Sequence, residues 1–370
     1  MFYKKVIREL KILKEEGKMK IVRKIFLISL LCVVLATFAY GGQKAEQLTF
    51  GMIMREASAP FSRAMILGAE NKANELGVKL IVKDAQNDSV RQLNLMDNLI
   101  SMGIDGFIFG GAVDQKAIIP GIKNMNENDI PIMAIDTCPL GGRIELFIAV
   151  DYKETAHQAT EALIKDLKKK HGGEVPNGVI IEITGALVDH ATHDFTEGFN
   201  SVITNYPQLK VVQGEGKWNN EDSFNRTTDL LMRFGDEVVA IYIHTPDIMS
   251  PGVISAVEKQ GYDPSNFSIT GVWAGPEGLQ FIREGKISAI VAPPAMEVAE
   301  LSVQYLYDLK SGKKIPQIGD TVIEEGAVWS PAKVVPNPYC EGGFMKIKGA
   351  LIPWEVSPDD PRLWENLLTK

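Results

Sequence analysis

From Leu48 onward the chain alternates short runs rich in β-branched and aromatic residues with longer stretches whose apolar residues recur at helical spacing. This alternation is typical of parallel sheets flanked by helices, because two parallel strands need a long crossover connection. The predicted strands span 48–54, 78–83, 106–110, 131–135, 147–150, 178–184, 210–213, 238–243 and 268–273, and the predicted helices span 61–76, 90–102, 115–126, 195–205, 221–234, 249–260 and 276–284. Since both halves follow the same order, we predict an α/β fold of two doubly wound, Rossmann-like parallel-sheet domains.

Ligands of open parallel sheets bind beyond the carboxyl ends of the strands, so the residues that follow each strand are candidates for a binding site. Arg55 follows the first strand, where it would reach a ligand from the cleft edge or pair with a surface acid such as Glu56. Asp88 or Ser89 follows the second strand and is predicted to cap the next helix.

Motifs of the common enzyme classes do not occur: the sequence has no phosphate-binding glycine loop, no Gly-x-Ser-x-Gly and no His-Glu-x-x-His. One cluster resembles a metal site, with His190 and His193 on one predicted helical face beside Asp189 and Asp194. Such residues at a helix start are more often pocket or capping residues. We therefore predict a non-enzymatic protein without metal or cofactor, and keep an exported enzyme that uses this cluster as an alternative.

The N-terminal segment 1–41 has the features of an export signal. Basic residues precede an apolar run at 25–38 that is shorter than the roughly 20 residues of a spanning helix. Small residues follow, so we predict a cleaved signal peptide with cleavage after Ala39 or Gly41. We also hypothesise that translation begins at Met19, because the charged residues upstream are unusual for a signal peptide.

The mature chain is acidic and contains two cysteines. The net charge of the full sequence is -8 and its pI is about 5.4, which argues against a nucleic-acid-binding protein. Cys138 and Cys340 remain after processing, so the chain can form one intramolecular disulfide or keep two separate thiols.

Several short motifs occur in a fixed order, although none is specific alone. They lie at 50–53, 59–61, 68–69, 77–78, 84–88, 99–108, 130–136, 198–199, 247–249, 271 and 276–277. As an ordered set, these motifs resemble those of periplasmic solute-binding proteins of the ribose/galactose type over about residues 48–312. The resemblance implies the type I periplasmic binding fold, with two lobes joined by a hinge that the chain crosses three times. We expect one lobe to comprise 45–150 plus 294–325 and the other 151–291 plus 326–370, including the extended tail.

The resemblance also implies a set of ligand-binding residues. In that family a sugar lies between aromatic side chains, while polar groups from both domains bind its hydroxyls. Phe61 matches a stacking aromatic residue, and Asp136 matches the carboxylate that follows the fourth strand. The predicted ligand-binding residues are Phe61, Asp136, Trp273, Phe195, Asp247, His193, Arg55, Thr137, His190 and Asp194.

Several positions depart from the family's pattern. Phe195 and Thr137 stand where Arg is expected, Pro246 where Asn is expected, and Trp273 where Asp is expected. Ribose itself is therefore not the expected ligand. We expect Phe195 and Trp273 to form a pocket wall, and the alternative is that Trp273 turns into the core.

These features predict the function. We expect an extracytoplasmic, monomeric solute-binding protein that captures a sugar or polyol by hinge closure and delivers it to the permease of an ABC importer. The alternative is a ligand-sensing module for a chemoreceptor or kinase. We expect no nucleic-acid partner.

Overall fold

The computed structural model describes residues 3–9, 11–12, 14–15 and 47–367. Met1–Gln47 forms one compact unit and Leu48–Lys370 forms another. In the first unit, residues 3–9, 11–12 and 14–15 are helical, and Gln47 has no regular secondary structure. The predicted apolar run at 25–38, both cleavage sites and Met19 lie outside the described residues. Within the described ranges, no helix combines the length and apolar character needed to cross a membrane.

The second unit contains two sheets. Its strands are β1 (Thr49–Met54), β2 (Lys79–Asp84), β3 (Gly106–Gly110), β4 (Ile132–Ile135), β5 (Arg143–Val150), β6 (Gly178–Thr184), β7 (Leu209–Glu215), β8 (Val238–Ile243), β9 (Ser268–Val272), β10 (Ala289–Ala292), β11 (Thr321–Val322), β12 (Ala332–Pro336), β13 (Glu341–Ile347) and β14 (Ala350–Ile352). The first sheet has the order β11-β12-β13-β5-β4-β3-β1-β2, and the second has the order β14-β10-β9-β8-β6-β7. Strands β1–β5 pair in parallel, as do β6–β10, which confirms the predicted α/β fold with two doubly wound lobes.

The helices lie mostly between consecutive strands, and polar caps start several of them. They are α1 (Pro60–Leu76), α2 (Ser89–Ser101), α3 (Ile119–Glu127), α4 (Tyr152–Lys170), α5 (His190–Ile203), α6 (Asn220–Phe234), α7 (Pro246–Lys259), α8 (Gly275–Arg283), α9 (Ala295–Lys310) and α10 (Trp364–Leu367). The Asp88 side chain accepts the Arg91 backbone N–H and so caps α2, as predicted. Helix α5 begins five residues earlier than predicted, because Asp189 caps it by accepting the Ala191 backbone N–H.

The chain crosses between the sheets three times, after β5, after β10 and between β13 and β14. The second crossing leads into α9, which packs against α1 in the first lobe. Residues 332–347 were predicted to belong to the second lobe. Their strands, β12 and β13, belong instead to the sheet of the first lobe. Strand β13 pairs in parallel with β5 and therefore covers an edge strand that would otherwise stay open.

Candidate functional site

A cavity of about 170 Å³ lies between the two lobes, beyond the carboxyl ends of strands from both sheets. This volume is smaller than the roughly 300–1,000 Å³ of pockets for drug-sized ligands, so the cavity suits a small solute. Its lining residues come after β1, β4, β5, β6, β7, β8 and β9: Arg55, Glu56, Ala59, Phe61, Ser62, Asp136, Thr137, Tyr152, Asp189, Ala191, Phe195, Trp218, Thr245, Asp247, Ile248 and Trp273.

Five aromatic side chains contribute to the cavity wall. The Trp273 ring lies edge-to-face with Phe61 at 5.8 Å between centroids and with Phe195 at 5.3 Å. Tyr152 lies 5.2 Å from Phe195, and Trp218 lies 6.4 Å from it. Trp273 is thus part of the pocket wall, although only 6% of its surface is exposed.

Helix α10 supports this wall from behind. The buried Trp364 ring lies 5.8 Å from Phe61, in an edge-to-face arrangement. Its indole Nε1–H donates a 2.9 Å hydrogen bond to the Pro293 carbonyl, which belongs to the second crossing between the lobes. The C-terminal tail therefore fixes a pocket residue of the first lobe to the hinge.

Carboxylates supply most of the charge in the cavity. Burial raises the pKa of Asp136 to about 6, although Arg55 opposes this shift. Burial also raises the pKa of Asp247 to about 8, and its Oδ1 has no hydrogen-bond partner. Burial opposes ionisation of Asp189 as well, but hydrogen bonds from His190 and the Ala191 N–H, together with Arg55, lower its pKa on balance.

Backbone contacts fix Asp136 and its neighbour. The Tyr152 hydroxyl donates a hydrogen bond to the Asp136 carbonyl. The Thr137 hydroxyl accepts the Ala112 backbone N–H at 3.0 Å, so it holds the loop after β3 in place. Gly111, with φ of 94°, leaves room for Asp136, because a Cβ there would lie 2.9 Å from the Asp136 carboxylate.

The comparisons with known proteins agree with this architecture. Residues 50–314 match the family model described as "Periplasmic binding protein domain". The chain belongs to this family. This periplasmic binding protein is 26% identical to the ribose import binding protein of Bacillus subtilis (strain 168) over 279 residues, which are 74% of this chain and 85% of that protein.

Two solved structures show the same fold. A carbohydrate transporter solute-binding protein from Agrobacterium radiobacter in complex with D-arabinose has a TM-score of 0.69 at 18% identity, and the match covers 86% of this chain and 98% of that one. An ABC transporter solute-binding protein from Bacillus halodurans C-125 with bound myo-inositol has a TM-score of 0.64 at 24% identity, covering 74% and 92%. These relatives are binding proteins, and the type I fold predicted for this chain is confirmed.

The structure brings together seven of the ten predicted site residues of this periplasmic binding protein: Phe61, Asp136, Trp273, Phe195, Asp247, Arg55 and Thr137. His190 lies just behind the cavity, where its Nδ1 hydrogen-bonds to Gln115 at 2.8 Å and its ring lies 6.0 Å from Tyr152. Asp194 contacts Lys153 and Tyr339 instead of lining the cavity. His193 is exposed on the outer side of α5, so it is not placed for the predicted hydrogen bond.

The metal-like cluster at 189–194 does not converge. His190 points toward Gln115 and Tyr339, whereas His193 faces solvent. Among the residues that the structure describes, no group of three or more His, Cys, Asp or Glu side chains is placed to hold a metal ion.

The sequence reasoning missed Trp218, Tyr152 and a buried polar pair beneath the wall. His244 Nε2 lies 2.9 Å from Glu182 Oε1, and both side chains are fully buried. Nδ1 of the same ring accepts the Gly185 N–H at 3.2 Å, and the ring lies 5.4 Å from Phe195. Tyr152 and Trp218 both follow strands, so the rule that directed us to Arg55 would have found them.

The tail loop between β12 and β13 connects the two lobes at the cavity edge. The Tyr339 hydroxyl donates a 3.0 Å hydrogen bond to Asp194 of α5, and its ring lies 4.8 Å from His190. In the same loop, Cys340 Sγ lies 3.3 Å from Cys138 Sγ, and both cysteines are free thiols. The sequence left this pairing open, and the structure places the two sulfurs in contact without a bond.

Proposed function

We propose that this periplasmic binding protein captures a small carbohydrate-like solute, a sugar or polyol, between its lobes and delivers it to an ABC importer outside the cytoplasm. The observation that carries the proposal is the cavity itself, which combines aromatic rings with carboxylates at the strand ends of both lobes. Aromatic rings suit the apolar C–H faces of a sugar, and buried carboxylates accept hydrogen bonds from its hydroxyls. The relatives named for ribose, D-arabinose and myo-inositol support this ligand class.

The proposed mechanism is closure of the two lobes around the ligand. Phe61 and Asp136 belong to the first lobe, and Trp273 and Asp247 belong to the second, so a ligand in the cavity would contact both. Such a ligand binds the closed form more tightly than the open form and therefore shifts the population toward closure. The closed protein then presents the surface that a permease recognises. We propose a monomer that reaches this compartment through its N-terminal signal peptide.

Thermal unfolding of the exported chain against a panel of pentoses, hexoses and polyols tests this function. A ligand at 100 times its dissociation constant stabilises the folded state by about 2.7 kcal/mol, which raises the melting temperature by several degrees. Asp136→Ala should abolish the shift, whereas His193→Ala, an exposed substitution outside the cavity, should retain it. If no sugar or polyol shifts the melting temperature, or if the shift survives Asp136→Ala, the proposed function or the proposed site is wrong.

A further inference from the structure

The cavity has an excess of negative groups. Four carboxylates line it, those of Glu56, Asp136, Asp189 and Asp247, against one cationic side chain, Arg55. Arg55 is already engaged, because its Nη1 lies 3.8 Å from Asp189 and its Nε donates a 3.0 Å hydrogen bond to the Asn87 side chain. Arg55 and His190 lower the pKa of Asp136, whereas no cationic side chain of the lining acts on Asp247.

Asp247 is the carboxylate for which this excess of negative charge is energetically most costly. Its surface is only 7% accessible, and its Oδ1 has no hydrogen-bond partner. The charged groups that act on it are Asp136 from the end of β4, Glu277 from α8 and Glu365 from α10, and none of them is basic. A buried carboxylate without a cation is costly, so it either keeps a proton or receives a positive charge from outside the chain.

The walls around these carboxylates suit a cation. Phe61, Tyr152, Phe195, Trp218 and Trp273 contribute aromatic rings to a small cavity. The faces of aromatic rings attract ammonium groups, most strongly for Trp and where water is excluded. The donors of the lining include Arg55, Ser62, the unpartnered hydroxyl of Thr245 and the indole N–H groups of Trp218 and Trp273, whereas its four ionisable carboxyl groups are acceptors once ionised.

We propose that the physiological ligand is a small hydroxylated amine, such as an amino sugar or amino polyol, whose protonated amine is recognised by Asp136 and Asp247 within the aromatic wall. This inference rests on the proposed function and narrows its ligand class. An ammonium group brings three donors and no acceptor, which matches a cavity rich in acceptors. Its charge also balances Asp247, on which no cationic side chain of the described lining acts.

Calorimetric titration of the full exported chain distinguishes the contribution of the ligand's positive charge to affinity from that of its sugar ring. The probes are D-glucosamine, D-galactosamine and D-mannosamine, each compared with its neutral parent hexose and with its N-acetyl derivative, which keeps the nitrogen but not the charge. We expect one amine to bind at least tenfold more tightly than both of its uncharged counterparts. Asp247→Asn should weaken that amine at least tenfold, whereas Asp229→Asn, which removes an exposed carboxylate outside the cavity, should leave its affinity within twofold.

A second measurement does not depend on affinity. A cationic ligand should displace a proton from Asp247, so titrations at pH 7 in two buffers of different ionisation enthalpy should report proton release that Asp247→Asn removes. Tight binding of a neutral sugar or polyol, with its amino counterpart no tighter and no proton release, would overturn this inference and leave the proposed function intact. Absence of binding by every amine and every neutral sugar or polyol, to a folded protein, would overturn both.

Discussion

Glu365, in the short helix α10 behind the cavity, offers a test that needs no ligand. Its side chain is 1% exposed, and neither carboxylate oxygen has a hydrogen-bond partner. Burial, together with the neighbouring Glu297 and Asp247, raises its pKa from the ordinary value of 4.5 to about 8. Glu365→Gln should therefore stabilise the protein at neutral and alkaline pH, since glutamine keeps the shape and removes the charge.

The sign of the effect follows from proton binding. With a raised pKa, folded Glu365 holds its proton at pH values where the unfolded chain has lost it, so stability falls as pH rises from about 4.5 to about 8. Each pH unit in that window costs about 1.4 kcal/mol. The loss amounts to about 3 kcal/mol at pH 7 and reaches about 5 kcal/mol above pH 8 as an upper bound, because water penetration would reduce it.

Urea unfolding at pH 5, 7 and 8.5 measures this difference, with Glu355→Gln as the matched control because Glu355 is exposed in the same tail. We expect Glu365→Gln to equal the wild-type protein within about 1 kcal/mol at pH 5 and to exceed its free energy of unfolding by about 2–5 kcal/mol at pH 8.5. The control should show no such divergence. A difference between Glu365→Gln and wild type that stays constant across this pH range would refute the buried, unpartnered carboxylate as its cause.

Three further substitutions or treatments test the tail and the lobe contacts. Tyr339→Phe removes the interlobe hydrogen bond to Asp194 and should weaken ligand affinity by about five- to tenfold, as measured by calorimetry, without lowering the melting temperature of the ligand-free protein. Because Cys138 and Cys340 lie in contact, we expect an oxidising glutathione buffer to convert them to a disulfide. The disulfide would be detected as a mass loss of about 2 Da and the loss of both titratable thiols. Thiols that persist in that buffer would contradict this prediction. Gly68→Ala places a Cβ against a backbone carbonyl of α9 and should lower the free energy of unfolding by about 1–3 kcal/mol, whereas an unchanged denaturation midpoint would show that the two helices separate easily.

The sequence was informative wherever structure is local. Strands β3, β6 and β8 have the bounds that their residue patterns predicted, and the Asp88 cap is in place, because these features depend on neighbouring residues. The course of the tail was not predictable in the same way. Strand β13 pairs with β5, which lies about two hundred residues earlier in the sequence. The residue pattern of 341–347 does not indicate which strand it pairs with.

The candidate site shows the same contrast between predictable local features and unpredictable packing. The rule that ligands bind beyond strand ends led to Arg55, and the resemblance led to Asp136 and Trp273, all of which line one cavity. The prediction for His193 was wrong about its placement, because α5 turns its buried face toward the second sheet and leaves that histidine in solvent. The direction of a polar side chain at a helix start depends on how the whole helix packs. That packing could not be predicted from this sequence alone.

The backbone at Trp273 offers a separate observation in favour of the proposed ligand-binding role of this residue. Asp136, Trp218 and Trp273 have positive φ angles of 64°, 56° and 67°, and all three line the cavity. A left-handed conformation costs a non-glycine residue on the order of 1 kcal/mol, and it is least expected for a bulky side chain such as Trp. A core indole could be buried from a relaxed strand without that cost. We propose that strain at these three positions, which follow strands of both lobes and line one cavity, serves to aim side chains at a bound solute.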